Sequence, residues 1–284
     1  MVCVAIFYEG DTTMAEPNFG RPVPPRPPAD VQRPEPDLAW ASELPSSPKN
    51  IGQFKEKYTG WFTPTGEHED LDVAMSDLEV KPLYIKHGSG NIVQHWPIDF
   101  HMIPLIERVD TLKTIKTDDT RMGMAIGWRI KDDGRPESFC KFLALHVPLL
   151  ANGYSTPFLV TVKSRSVQNM VNALIRQYDV LDWISNSRKA SGKSPVAYPF
   201  WSIAMRMGLG EREVRGTTQT KEYIPFASHL PQVITKDVAL DLFYPADHPE
   251  WVELIRPLLD NINDWSTEAS KPVNAATYTE TVTE

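Results

Sequence analysis

Apolar and polar residues alternate along much of the middle of this chain, and that alternation predicts strands. The clearest run is 122–131: Met122, Met124, Ile126, Trp128 and Ile130 share one face, and Gly123, Ala125, Gly127, Arg129 and Lys131 share the other. The first set predicts core. The second is nearly flat and ends in two cations, so a ligand could approach the backbone there. Asp132-Asp133-Gly134 supplies a hairpin turn, and the return strand 138–149 directs Phe139, Leu143, Leu145, Val147 and Leu149 inward. Further strands are predicted at 79–86, 91–96, 100–107 and 157–163. A strand at 198–207 places Trp201, Ile203, Met205 and Met207 on one face, with Tyr198, Phe200 and Arg206 on the other.

Two segments carry helical spacing instead. Val167, Met170, Val171, Leu174, Ile175, Tyr178 and Leu181 recur at three- and four-residue steps, with Ser164 or Ser166 as the cap and an end near Ser187. A second helix is predicted from His248 to about Asp264, interrupted by Pro257. Many strands with one long helix after a central strand and another near the end predict a mainly β (α+β) fold. The expected form is an OB-like barrel or a half-closed antiparallel sheet.

The ends differ from this middle. Residues 17–48 hold ten prolines, which fix φ and remove donors, so residues 1–50 read as a disordered Pro-rich arm. Pro22-Val-Pro-Pro25, flanked by Arg21 and Arg26, has PxxP spacing and offers a docking motif for a protein partner. Residues 51–266 read as a single β-rich globular domain, and the Thr-rich residues 267–284 as a disordered acidic tail. The apolar opening Met1 to Tyr8 is too short for a membrane span and lacks a basic n-region, and no run of eighteen apolar residues follows. Two cysteines in dissimilar contexts, Cys3 and Cys140, do not form a disulfide scaffold. A soluble, cytoplasmic protein with no membrane association is expected.

Charge changes the picture next. The chain is acidic, at net −8, yet residues 163–226 carry ten Lys/Arg against five Asp/Glu. Tyr178, Trp183, Tyr198, Phe200, Trp201, Tyr223 and Phe226 lie among those cations. Cations that hold phosphates beside rings that stack bases suit a single-stranded nucleic acid. The expected groove takes Lys163 and Arg165 where a strand gives way to a helix, and Arg188, Lys189 and Lys193 from the loop after it. It takes Tyr198, Phe200 and Arg206 from the next strand, and Arg212, Arg215 and Lys221 from a polar hairpin or flap at 208–226. Arg129 and Lys131 join from the flat strand face. Trp201 is expected to be core.

Other chemistry finds less support. His95, Asp99 and His101 share strand parity and suit a divalent metal, but Pro97 interrupts the run and no HExxH or CxxC accompanies them. Structural histidines are the better reading, and no metal or cofactor is expected. Glu67 to Asp72 lacks the glycine of a calcium loop. There is no GxSxG, Cys140 sits in an apolar strand, and Gly208-Leu-Gly210 lacks the rest of a phosphate loop. No catalytic residue is assigned, and a non-enzymatic protein is expected.

The strand Thr156-Pro-Phe-Leu-Val-Thr-Val-Lys-Ser164 leading into an amphipathic helix, followed by Tyr198-Pro-Phe-Trp201, resembles uncharacterised phage, plasmid and mobile-element proteins of bacteria regarded as single-stranded DNA-binding proteins. The resemblance covers roughly residues 55–235. It implies an OB-type barrel, sequence-tolerant binding of single strands and a role in replication or recombination. Such proteins often end in an acidic, partner-recruiting tail. Here Thr279-Glu-Thr-Val-Thr-Glu284 lacks the aspartate run closed by Pro-Phe, so recruitment is not carried over. The expected ligand is single-stranded DNA, with RNA as the alternative and an oligomer open. The competing expectation is a phage or mobile-element scaffold that docks through its Pro-rich arm.

Overall fold

The computed structural model describes residues 35–48, 53, 54, 56–106, 120, 121, 123–130, 134, 136–163, 165–196, 198–215, 220–227, 234–243, 248–260 and 262. The PxxP segment and the tail 267–284 lie outside them. Among the described residues eleven strands form one branched sheet. They are β1 (Asp37–Ser47), β2 (Glu56–Pro64), β3 (Leu83–Lys86), β4 (Ile92–Ile98), β5 (Phe100–Pro104), β6 (Thr120–Arg121), β7 (Met124–Ile130), β8 (Pro136–His146), β9 (Phe158–Lys163), β10 (Met205–Arg215) and β11 (Thr220–Ala227). The helices are α1 (Glu69–Asp77), α2 (Val147–Ala151), α3 (Arg165–Ala190), α4 (Lys236–Leu242) and α5 (Pro249–Leu259). The protein is mainly β, with an OB-like α+β architecture.

Four strands close on themselves. β1 pairs β2, β2 pairs β4, β4 pairs β3, and β3 returns to β1 at Ser46↔Ile85, all antiparallel. Phe62, Ile85 and Ala41 fill this small barrel. β1 belongs to a second sheet as well. Its first residues pair parallel with β9, Leu38 opposite Val160. The register then shifts between Ala41 and Leu44, where Glu43 adopts a positive φ of 51° and its N–H donates to Thr59 Oγ1 at 3.1 Å. That bulge bends β1 out of one sheet and into the next. Residues 37–47, expected to belong to the disordered arm of residues 1–50, are instead a strand, and residues 1–34 of that arm lie outside the described residues. Pro45 is tolerated in a ladder because it follows a bulge, where proline's missing donor is least costly.

From β9 the sheet continues through β8, whose other edge carries β7 along its first half and β5 along its second. β5 pairs β10, and β10 forms a hairpin with β11. The sheet then curls back on its origin. Trp40 Nε1 donates to Tyr223 O at 3.0 Å, and Tyr223 N donates to Ser42 Oγ at 2.9 Å.

Both faces of the central strands are covered, which corrects the single inward face expected for the return strand. Cys140, Phe142 and Ala144 of β8 pack in the larger cluster with Val160, Met170, Val171 and Leu174, beneath α3. Leu143 and Leu145 face the other way, onto Trp201, Trp251 and Ile255 of a second cluster. Val147 and Leu149 belong to α2, not to a strand. The flat face of β7 is covered too: Ala125 is fully buried, and a Cβ at Gly127 would meet the Phe139 ring at 2.8 Å. A side chain, not a ligand, occupies that space. The strand expected at 198–207 begins only at Met205, after a 3-10 turn over Phe200–Ser202 preceded by Pro199. α5 continues two residues past Pro257.

Candidate nucleic-acid interface

A cleft of about 210 Å³ opens where β1 and β2 meet the β4–β5 corner and β10. The floor is aromatic. Trp61 and Phe100, both buried, pack with centroids 4.6 Å apart, and Trp40 meets Trp61 edge-on at 5.4 Å. Trp40 and Tyr58 are half-buried, so part of each ring faces the opening, while Leu209 forms an exposed lip. The Tyr58 hydroxyl donates to Trp61 O, which lays the ring across Gly60. A Cβ at Gly60 would stand 2.8 Å from Tyr58 Oη, and the residue's φ is +154°. Glycine is therefore what allows the ring its place.

Asp99, the single residue between β4 and β5, is exposed at the cleft. Its carbonyl accepts the His146 Nε2–H at 2.9 Å and the His101 N–H at 2.8 Å, so its backbone is held from two sides. His146 is buried, and that burial depresses its pKa to about 4, although the Asp99 carbonyl opposes the shift. The imidazole is therefore neutral at pH 7. Burial first and the Asp99 charge second raise the Tyr58 phenol well above its usual pKa, so it stays protonated and neutral.

The basic residues expected to share one groove are dispersed. Lys163 is exposed at the end of β9, and Arg165 opens α3, while Arg188 and Lys189 lie in its last turn and Lys193 just beyond. At 1.5 Å per residue the 26-residue helix separates the two groups by about 35 Å. Arg188 Nε donates to Ser194 O, six residues on, at 3.4 Å. The expected stacking rings are also diverted. Phe200 is 2% exposed and packs on Tyr178 at 5.1 Å, and Tyr198 lies edge-on to Phe243 at 4.8 Å. Pro199 and the turn after it rotate Phe200 inward, so it is removed from the stacking set. Trp201 is core, as expected.

Arg206 is exposed opposite His101, on the face of β10 turned away from Met207 and the cleft. Arg212, Arg215 and Lys221 fall on the hairpin whose inner end walls the cleft through Met207, Gly208 and Leu209. Their side chains lie outside the described residues, as do that of Arg129 and all of Lys131. Trp40, Tyr58, Trp61, Phe100 and Leu209 were not anticipated, because they converge from four separate segments. The one local signal was Tyr58-Thr-Gly60-Trp61, a glycine between two rings in a strand.

Among the described residues no group of three or more His, Cys, Asp or Glu is placed to hold a metal. His95 points into the small barrel, its Nε2 2.8 Å from His87 Nε2, while Asp99 and His101 belong to the β4–β5 corner. Burial first and His87 second lower the His95 pKa to about 4. Cys140 is buried, and desolvation pushes its thiol up to about 12. Asp72 of the acidic stretch is structural, with Oδ2 accepting the Gly66 N–H at 2.8 Å and Oδ1 the Trp96 indole N–H. No described helix is long and apolar enough to cross a membrane.

No family model, curated protein or solved structure matches the chain.

Proposed function

We propose that this protein binds single-stranded nucleic acid, DNA foremost, as a non-enzymatic, largely sequence-tolerant partner in replication or recombination. The observation that carries the reading is the open aromatic cleft beside an OB-like barrel, with a cation-bearing hairpin as one of its walls. Half-exposed Trp40 and Tyr58 offer π faces to a base, and such stacking is worth about 1–3 kcal/mol per base. Asp99 repels phosphate, so the base enters the cleft while the phosphate backbone stays outside it, toward the cation-bearing β10–β11 hairpin. This site is smaller than the groove expected from linear charge. The buried free thiol of Cys140 fits a reducing, cytoplasmic setting.

Anisotropy of a labelled oligothymidylate, titrated with salt, tests the reading. Each phosphate contact contributes about −0.7 to the slope of log K against log salt for a single strand. Reversing Arg212, Arg215 and Lys221 to Glu flattens that slope. Trp40→Ala weakens binding by the stacking energy and leaves the slope unchanged. Absence of binding at low salt refutes the reading.

A further inference from the structure

Resting on that reading of the cleft, we infer that Asp99 makes it selective for guanine at one position of the strand, its carboxylate accepting the adjacent N1–H and N2–H of a base seated against Trp40 and Tyr58. Four observations converge. Asp99 is the one charged residue among the described residues lining the cleft, whose other walls are apolar or neutral. No hydrogen bond or ion pair engages its carboxylate among the described residues, since both contacts from His101 and His146 end on its carbonyl. Those two contacts hold the backbone, so the carboxylate is presented from a fixed corner. The cleft, at about 210 Å³, is smaller than the pockets of roughly 300 Å³ and more that enclose drug-sized ligands, and so suits a single flat ring system.

The chemistry then ranks the bases. A carboxylate can only accept. The guanine edge offers two neighbouring N–H donors that match both oxygens. Cytosine and adenine each present one amino group beside an acceptor. Thymine presents a single N–H flanked by two carbonyl oxygens that repel the carboxylate. Phosphate is repelled outright, so the carboxylate also fixes which part of the nucleotide enters.

Competition anisotropy on the full chain tests this, using short oligothymidylates whose central residue is dT, dG or inosine, which lacks the 2-amino group. The dG probe binds about tenfold tighter than the dT probe, the scale of one bidentate pair, and inosine loses most of that gain. Asp99→Asn brings the dG/dT ratio to one, and because it keeps the carbonyl that holds His146 it preserves the corner. Equal affinities for all three probes on the native chain, or a guanine preference that survives Asp99→Asn, overturn the inference while leaving base binding intact. Failure of every probe to bind at low salt overturns the base-binding reading itself, and this inference with it.

Discussion

Lowering the pH from 7 to 5 tests the burial of His95 and His146 directly. They are 3% and 6% exposed, and burial holds each near pKa 4 against an ordinary value of 6.5. Between those two values the unfolded chain binds a proton at each site that the folded chain does not. Stability therefore rises with pH across the window from about 4 to 6.5 and is lost as pH falls through it. A 2.5-unit depression corresponds to about 3 kcal/mol per histidine in full, and the part lost between pH 7 and 5 is about 2 kcal/mol each. Two such groups remove about 4 kcal/mol, a large fraction of the 5–15 kcal/mol typical of a folded domain. Ordinary carboxylates titrate mostly below this range, which leaves the histidines in view. Urea unfolding followed by tryptophan fluorescence at pH 7, 6 and 5 gives the difference. His146→Gln keeps a donor for the Asp99 carbonyl, so it lowers stability at pH 7 but cuts the pH-dependent loss by about half. Superimposable unfolding curves at pH 7 and 5 would refute the reasoning.

Gly60→Ala places a Cβ against Tyr58 Oη and strains a positive φ; it costs roughly 1 kcal/mol of stability and weakens oligonucleotide binding beyond that, read by anisotropy on protein shown to be folded by circular dichroism. Phe200→Ala empties a core site under Tyr178 and costs about 3–5 kcal/mol in urea unfolding, with binding unaltered at temperatures where the variant is folded. Reversing Arg188, Lys189 and Lys193 to Glu changes affinity less than twofold at physiological salt. α3 touches β11 near Asn169, and Arg188 lies about 28 Å further along its axis, several screening lengths away.

The elements that could be read in advance were those with one dry face or a helical stripe. Val167, Met170, Val171 and Leu174 marked α3 because a 3.6-residue period has no rival reading over that length. β8 could be located but not oriented. With Phe142 facing one cluster and Leu145 the other, parity carries no information about which side is core. β1 was hidden by proline density, although Leu38 and Trp40 do alternate toward the larger core. Charge in the third quarter was real, but its grouping was an artefact of chain order, since a helix as long as α3 carries its two ends apart. The cleft assembles Trp40, Tyr58, Phe100 and Leu209 over a span of some 170 residues, and no local pattern announces such a meeting.

β1 is the earliest described strand to leave the ribosome, yet two of the elements that hold it, β9 and β11, lie more than a hundred residues downstream. At synthesis rates of roughly 5–20 residues per second it waits on the order of ten seconds with an edge unpaired. The closed ring and the curled sheet thus share one early strand that neither can complete alone. The ring of β1 to β4 lies within residues 37–98 and closes early, whereas the curled sheet waits for β9 and β11, and trimming the N-terminal segment back to residue 50 would abolish folding of both parts together.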